Sequence, residues 1–336
     1  MDLPEIDITG LREDGPGATA VARSLDAACR TAGFFYVSGH GVDPGLCDHL
    51  EKLAHHFFSL EDEEKSKIAM DRGGPAWRGW FPLGGELTSG VPDDKEGLYF
   101  GAELADDHPR VRAGTPLHGP NLFPRRPREL QGVVSAYIDA MTRLGQLILS
   151  GIALGLGLPR SWFVEHLTAD PLVLFRIFRY PARSDRNTAA DNRWGVHAHT
   201  DYGLLTVLGQ DSCGGLEVRT PGGWIDAPPR PGTFVCNLGD MLERLTGGRY
   251  VSTLHRVKNS ADTDRLSFPF FLDPSWDAVV ERLPIVDRPQ EDDAALRWDR
   301  ASVHGYVGRY GDYLVAKVGK VFPDLAADTL RNRSSQ

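Results

Sequence analysis

Apolar and polar positions along this chain change rhythm near Leu172. Upstream, stretches with a helical period alternate with short apolar runs. Downstream, short runs with a period of two are separated by turns. "PEIDI" predicts a short strand. After Gly17, the residues Val21, Ala22, Leu25 and Ala28 keep a helical period, and Gly33 stands where a C-cap would. "FFYVSGHGV" reads as a buried strand. Asp43-Pro44 then supplies an N-cap and an N1 proline for a helix with Leu46, Leu50, Leu53 and Phe57 on one face. The charged "EDEEKSK" reads as a solvated helix face. Residues 71–126 are rich in Gly, Pro and Asp without a sustained period, which predicts an irregular, functional or packed cover. A long helix is expected from Arg128 to Leu156, with Leu130, Val133, Tyr137, Met141, Leu144 and Ile148 on its inner stripe.

"LVLFRIFRY", "LLTVL", "LEVRT", "WIDAP", "GTFVCNLG", "VSTLHRVKN" and "LSFPFFL" are each strand-sized, with "PGG", "RPG" and "TGG" among the turns. Many short strands in close succession point to a sandwich or jelly roll. A last helix is expected over Ser302 to Val321. The fold class is mainly β with α: a jelly-roll core wrapped by helices from both ends. The expected division is an N-terminal α/β region with cover loops over 1–125, then the long helix, core and final helix over 126–336, joined as one unit. No linker, repeat or low-complexity tract interrupts it.

Composition narrows the partners. The chain has 336 residues, a quarter of them charged, and a net charge of −9. That balance argues against nucleic acid or an anionic membrane as the main partner. Cys29, Cys47, Cys213 and Cys236 are scattered, which suits reduced thiols better than a disulfide framework. The acidic start "MDLPEIDITG" is unlike a signal peptide, and no apolar run is long enough for a bilayer. A soluble, cytoplasmic protein is expected.

Candidate chemistry is concentrated in "WGVHAHTD", where His197, His199 and Asp201 alternate. Side chains two apart on a strand share a face, so His199 and Asp201 can converge on one ion. The third ligand is expected from His255 in "VSTLHRV", brought opposite by a second strand. Two imidazoles and one carboxylate leave an open side, the pattern of non-haem Fe(II) oxygenases. Arg265 and Ser267 in "DRLSFPFF" also alternate, and a guanidinium fork beside a hydroxyl makes a carboxylate anchor. The other histidines, such as His40, His118 and His304, have no comparable setting.

"HTDYGLLTVL", "GGLEVR", "FVCNLGDMLERLTGGRYVSTLHRV" and "DRLSFPFF" resemble the C-terminal half of the isopenicillin N synthase-like, Fe(II)/2-oxoglutarate-dependent oxygenases. "LPEIDI", "GFFYVSGHGV" and "FFSLEDEEK" resemble the N-terminal region of that family. The resemblance implies a double-stranded β-helix core, with His199, Asp201 and His255 as iron ligands. It implies Arg265 and Ser267 as the anchor for the far carboxylate of 2-oxoglutarate, and it adds Tyr180 in "FRYP" as an assisting group. O2 would be the co-oxidant, with succinate and CO2 released and a small acid, amino-acid-derived or natural-product substrate hydroxylated, desaturated or cyclised. One departure stands out: many 2-oxoglutarate users carry Asn where this chain has Phe178, so one polar contact to the cosubstrate is absent.

Other readings remain at this level. In a 2-oxoglutarate-independent oxidase, Arg265 and Ser267 would hold a substrate carboxylate instead. A zinc hydrolase uses similar ligands, but no general base stands out. A jelly roll can also bind without catalysis. For substrate contacts the sequence offers Trp77, Arg78, Trp80 and Tyr99 in the Gly/Pro-rich stretch, with packing of that loop as the other reading. Arg176 and Arg179 could meet an acidic substrate or form surface pairs. His197 either lines the substrate side or faces solvent, and strand alternation places it in the site only if no bulge intervenes at Ala198.

Overall fold

Strands from both halves of the chain hydrogen-bond into a single sheet, because each presents an apolar face that none can cover alone. The computed structural model describes residues 2–88, 90–182, 194–258, 261–285, 302 and 304–321. The strands are β1 (Glu5–Asp7), β2 (Phe34–Ser38), β3 (Gly79–Phe81), β4 (Leu87–Thr88), β5 (Val91–Pro92), β6 (Glu96–Gly101) and β7 (Pro171–Tyr180) in the first part. Then follow β8 (Val196–His199), β9 (Leu205–Gln210), β10 (Leu216–Thr220), β11 (Gly223–Asp226), β12 (Phe234–Leu238), β13 (His255–Val257) and β14 (Arg265–Ser275). The main helices are α1 (Pro16–Thr31), α2 (Pro44–Phe58), α3 (Leu130–Gly155) and α4 (Tyr310–Val321).

The larger sheet has eight strands in the order β1-β2-β12-β9-β14-β7-β6-β3, and a four-stranded sheet runs β11-β10-β13-β8. A cavity lies between them. Parity decides what faces it. On β7, Leu174, Arg176, Phe178 and Tyr180 line the cavity; on β14, Arg265, Ser267, Pro269, Phe271 and Asp273 do. The intervening Leu266, Phe268, Phe270 and Leu272 are buried, on a strand whose other side meets α3. Leu314, Val318 and Val321 of α4 also line the cavity, so the C-terminal helix forms part of its wall.

The helices follow their expected stripes. Val21, Ala22, Leu25 and Ala28 are buried on α1, which packs on α3. Gly33 ends α1: its N–H donates to the Ala28 carbonyl at 3.0 Å, its φ is 61°, and a Cβ there would stand 2.1 Å from the Val251 carbonyl oxygen. Asp43 caps α2 by accepting from the Gly45 N–H at 2.9 Å. On α3, Tyr137, Met141, Leu144 and Ile148 are buried, while Val133 is half-buried.

Three expectations are corrected. The stretch 71–126 is not only loop: "GWF" and "EGLYFG" add β3 and β6 to the large sheet. Both are short and buried, so no alternation betrays them. The charged "EDEEKSK" is not wholly solvated either. Lys65 is 4% exposed, pairs with Glu96 and Asp62 at 2.9 Å each, and lies over the Trp80 ring at 5.2 Å. Finally, α4 begins at Tyr310 rather than Ser302, just after Gly308, whose φ of 150° lies outside the helical region.

Candidate active site

His199 ends β8 and His255 begins β13, and the antiparallel pairing of these strands sets the two directly opposite. Their rings lie 4.2 Å apart, centroid to centroid. Asp201 follows just past β8, with Oδ1 3.7 Å from Nε2 of each histidine. One ligand atom from each of the three lies within 4.8 Å of the others.

Neighbours orient these groups. The His197 carbonyl accepts the Nδ1–H of His199 at 2.8 Å, and the Thr253 carbonyl accepts that of His255 at 3.1 Å. A carbonyl can only accept, so Nδ1 carries a hydrogen in each ring and Nε2 is the nitrogen turned toward Asp201. Asp201 Oδ2 accepts from Thr206 Oγ1 at 2.6 Å and Asn237 Nδ2 at 2.7 Å, which leaves Oδ1 for a metal. Thr206 and Asn237 are register partners on β9 and β12, so one cross-strand pair holds the carboxylate. Burial, reinforced by the adjacent His255, lowers the pKa of His199 to about 4 and keeps its imidazole neutral. For Asp201, burial pushes the pKa up, but the two imidazoles and the two hydrogen bonds outweigh it and hold the carboxyl below its usual range. Two imidazole nitrogens and one carboxylate on one side of a point fit an open-sided divalent ion such as Fe(II).

Arg265 is fully buried on β14. Its Nε donates to the Gly214 carbonyl and its Nη2 to Gln210 Oε1 at 3.2 Å, while Nη1 has no partner. A buried guanidinium nitrogen left unpaired is the feature a ligand carboxylate would satisfy. Tyr180 lies opposite Arg265 in register, with its ring 4.8 Å from the guanidinium carbon, and its hydroxyl is 3.3 Å from Ser267 Oγ. Phe178 lines the same cavity, where the buried Lys95 ammonium stands 4.7 Å above its ring. The structure thus brings together His199, Asp201, His255, Arg265, Ser267, Tyr180 and Arg176.

It does not bring in the rest. The pairing of β8 with β13 sets Val196 opposite Val257 and His199 opposite His255, so three steps on one strand face two on the other. This irregularity breaks the alternation: Val196 and His199 line the cavity, whereas the His197 ring turns to Asp93, with Nδ1 2.9 Å from Oδ1. Arg179 has the wrong parity on β7 and pairs with Asp264 at 2.6 Å and Glu96 at 2.7 Å. Trp80 donates its indole N–H to Glu96, Arg78 donates to the Leu117 carbonyl, and Trp77 is buried; none of the three lines the cavity. Tyr99 stands one layer behind the wall. Its hydroxyl donates to Glu86, and its ring supports the Arg176 guanidinium at 4.2 Å.

Sequence reasoning missed Thr206, Asn237, Glu86, Lys95 and Asp273. The first two carried a usable signal, since each is a polar residue at a buried position of an apolar strand. Glu86 and Lys95 lie in the stretch that shows no period, and only the fold carries them to the cavity.

Two family models match the chain. Residues 3–126 match the N-terminal region described as non-haem dioxygenase in morphine synthesis, and residues 170–274 match the 2OG-Fe(II) oxygenase superfamily. A Dictyostelium discoideum protein named "Probable iron/ascorbate oxidoreductase" is 46% identical over 98% of this chain and 97% of its own length. A homoarginine-6-hydroxylase of Arabidopsis thaliana is 39% identical over 94% of this chain and 96% of its own. Among solved structures, a full-length Neurospora crassa protein in complex with α-ketoglutarate and thymine is similar, with a TM-score of 0.77 and 27% identity over 94% of this chain and 96% of that one. Likeness in sequence and in fold runs the length of the chain and meets at the same jelly-roll core, so the chain belongs to the 2OG-Fe(II) oxygenase superfamily and is an Fe(II)- and 2-oxoglutarate-dependent dioxygenase acting on small molecules.

Proposed function

We propose that this enzyme hydroxylates a small molecule bearing a carboxylate. His199, Asp201 and His255 would hold Fe(II), Arg265 with Ser267 and Tyr180 the far carboxylate of 2-oxoglutarate, and Arg176 the carboxylate of the substrate. When bound, Fe(II) supplies, with O2 and 2-oxoglutarate, the oxidising power for substrate C–H cleavage as succinate and CO2 are released. The chain's part is to bind, orient and exclude water. Phe34, Leu174, Val196 and Val318 give the cavity apolar walls for that last task.

The observation that carries this reading is the setting of Arg176. Its guanidinium lies between the rings of Tyr99 and Phe271, at 4.2 and 4.8 Å, and lines the cavity. Its nearest carboxylate, Glu86, is 3.5 Å away and also shared with Lys95 at 3.0 Å, and its Nε has no hydrogen-bond partner. A cation flattened between two aromatic faces offers its edge to a planar anion. Homoarginine, named for the Arabidopsis relative, carries such a carboxylate. Succinate release by the Fe(II)-loaded protein, measured across a set of small carboxylic acids, tests the proposal. Arg176→Met should raise KM for an active acid about tenfold or more while KM for 2-oxoglutarate holds. Equal turnover of acids and their neutral amides would sink it.

A further inference from the structure

Among the described residues, the Lys and Arg side chains that line the cavity are Lys95, Arg176 and Arg265, and only Lys95 has no task in the reading above. It is 2% exposed and stands just before β6, one step beyond the Glu96–Arg179 pair, which carries it to the side of Tyr180. Its Nζ donates to Asp93 Oδ2 at 2.7 Å. Glu86 Oε2 is 3.0 Å away, yet no hydrogen bond reaches that oxygen, so the contact is an ion pair only. An ammonium carries three N–H donors, and a buried donor without an acceptor is costly. Burial alone would lower the pKa of Lys95, but Asp93 and Glu86 outweigh it and hold it above the ordinary value, so the group stays charged.

The neighbours of Lys95 give its remaining donors a direction. Its Nζ stands 4.7 Å from the centre of the Phe178 ring, that ring is 6.3 Å from the Tyr180 ring, and the Tyr180 ring is 4.8 Å from the guanidinium carbon of Arg265. Lys95 therefore lies on the same strip of wall as the groups proposed to hold 2-oxoglutarate. Phe178 offers that strip no polar atom. Its ring is seated over Gly97 of β6, where a Cβ would stand 2.7 Å from Phe178 Cδ1, and the seated ring supports the ammonium. A cation reaching in from the β6 side thus stands where β7 supplies no donor. Arg265, Ser267 and Tyr180 already meet the far carboxylate, so the donors of Lys95 are left for the keto-acid half of the molecule.

We propose that Lys95 is a second binding residue for 2-oxoglutarate, donating to its keto-acid half and supplying from the β6 side the polar contact that Phe178 lacks. This rests on the reading of Arg265, Ser267 and Tyr180 as the cosubstrate anchor. The test titrates 2-oxoglutarate into the Fe(II)-loaded protein without O2 and follows the visible band, so no turnover is needed. Lys95→Met should raise the dissociation constant about ten- to a hundredfold and move the band maximum, with the iron dissociation constant within about twofold of the wild-type value. A lysine that only balanced Asp93 and Glu86 would change unfolding stability and leave the band in place. Adding Phe178→Asn to Lys95→Met should recover most of the lost affinity, because it returns a donor to the same strip from the other strand.

A 2-oxoglutarate dissociation constant within about threefold of the wild-type value in Lys95→Met overturns the inference. It would leave Lys95 to balance its two carboxylates or to join Arg176 at the substrate. The inference also fails if the double variant recovers no affinity. Phe178→Asn alone keeps Lys95, so it decides even where Lys95→Met does not fold. With the ammonium already in place it should not tighten 2-oxoglutarate binding, and a gain of about tenfold would show that the place was unfilled. Failure of the anchor reading looks different: Arg265→Lys would leave 2-oxoglutarate binding unchanged.

Discussion

His197 and His199 divide the roles of one short strand. The backbone carbonyl of His197 takes the Nδ1–H of His199 at 2.8 Å, while the His197 ring leaves the cavity and donates to Asp93 at 2.9 Å. Asp93 also receives Lys95 at 2.7 Å and Thr88 at 2.7 Å. Burial alone would raise its pKa, but Lys95 and these hydrogen bonds hold it below the ordinary value, so it stays a carboxylate. His197→Ala removes the ring and keeps the carbonyl. Iron binding and the visible band that 2-oxoglutarate produces without O2 should both survive. Because the ring is a quarter exposed, the stability loss should be modest, about 1 kcal/mol. Iron loss, or a tenfold rise in substrate KM, would place the ring in the site after all.

Thr206 and Asn237 grip the oxygen of Asp201 that faces away from the histidines. Thr206→Val keeps the volume and deletes one hydrogen bond. Iron affinity should fall about 10- to 100-fold, the usual effect of losing a group that orients a ligand. An iron titration of the purified variant measures it; an unchanged dissociation constant would mean Asn237 alone suffices.

Replacing His199, Asp201 or His255 singly by Ala should abolish turnover, because two ligands neither hold the ion firmly nor fix its open side. Metal content per chain and the anaerobic band report on this directly. Full activity in His255→Ala would remove it from the ligand set.

Arg265→Lys keeps the charge but loses the planar fork, and with it the free Nη1. The loss should be about 1.5–3 kcal/mol, seen as a rise of roughly ten- to a hundredfold in KM for 2-oxoglutarate with iron retained. Product formation without 2-oxoglutarate or succinate would reassign Arg265 to the substrate.

Lys65 and Glu96 form a pair in which both side chains are at most 5% exposed. Lys65→Met fills similar space and strands a buried carboxylate that keeps only Arg179 and the Trp80 N–H. Chemical unfolding should show a loss of about 3 kcal/mol, the low end for breaking a buried pair. A change under about 1 kcal/mol would class the contact with exposed pairs.

The strand pattern after Leu172 and the stripes of α1, α2 and α3 were readable from the chain alone, because a period of two or of 3.6 is a local property of consecutive residues. The same parity rule already grouped His199 with Asp201 and Arg265 with Ser267, and the structure keeps each pair on one wall. Parity could equally have separated Arg179 from Tyr180, since neighbours on a strand face opposite ways. His197 obeys no such local rule: a register shift against β13 turns it away, and register is settled between strands. Glu86, Lys95 and Asp273 meet in one cavity for the same reason. Their distances depend on how β14, the stretch before β6 and the C-terminal helix pack, and packing is a relation among segments far apart in sequence.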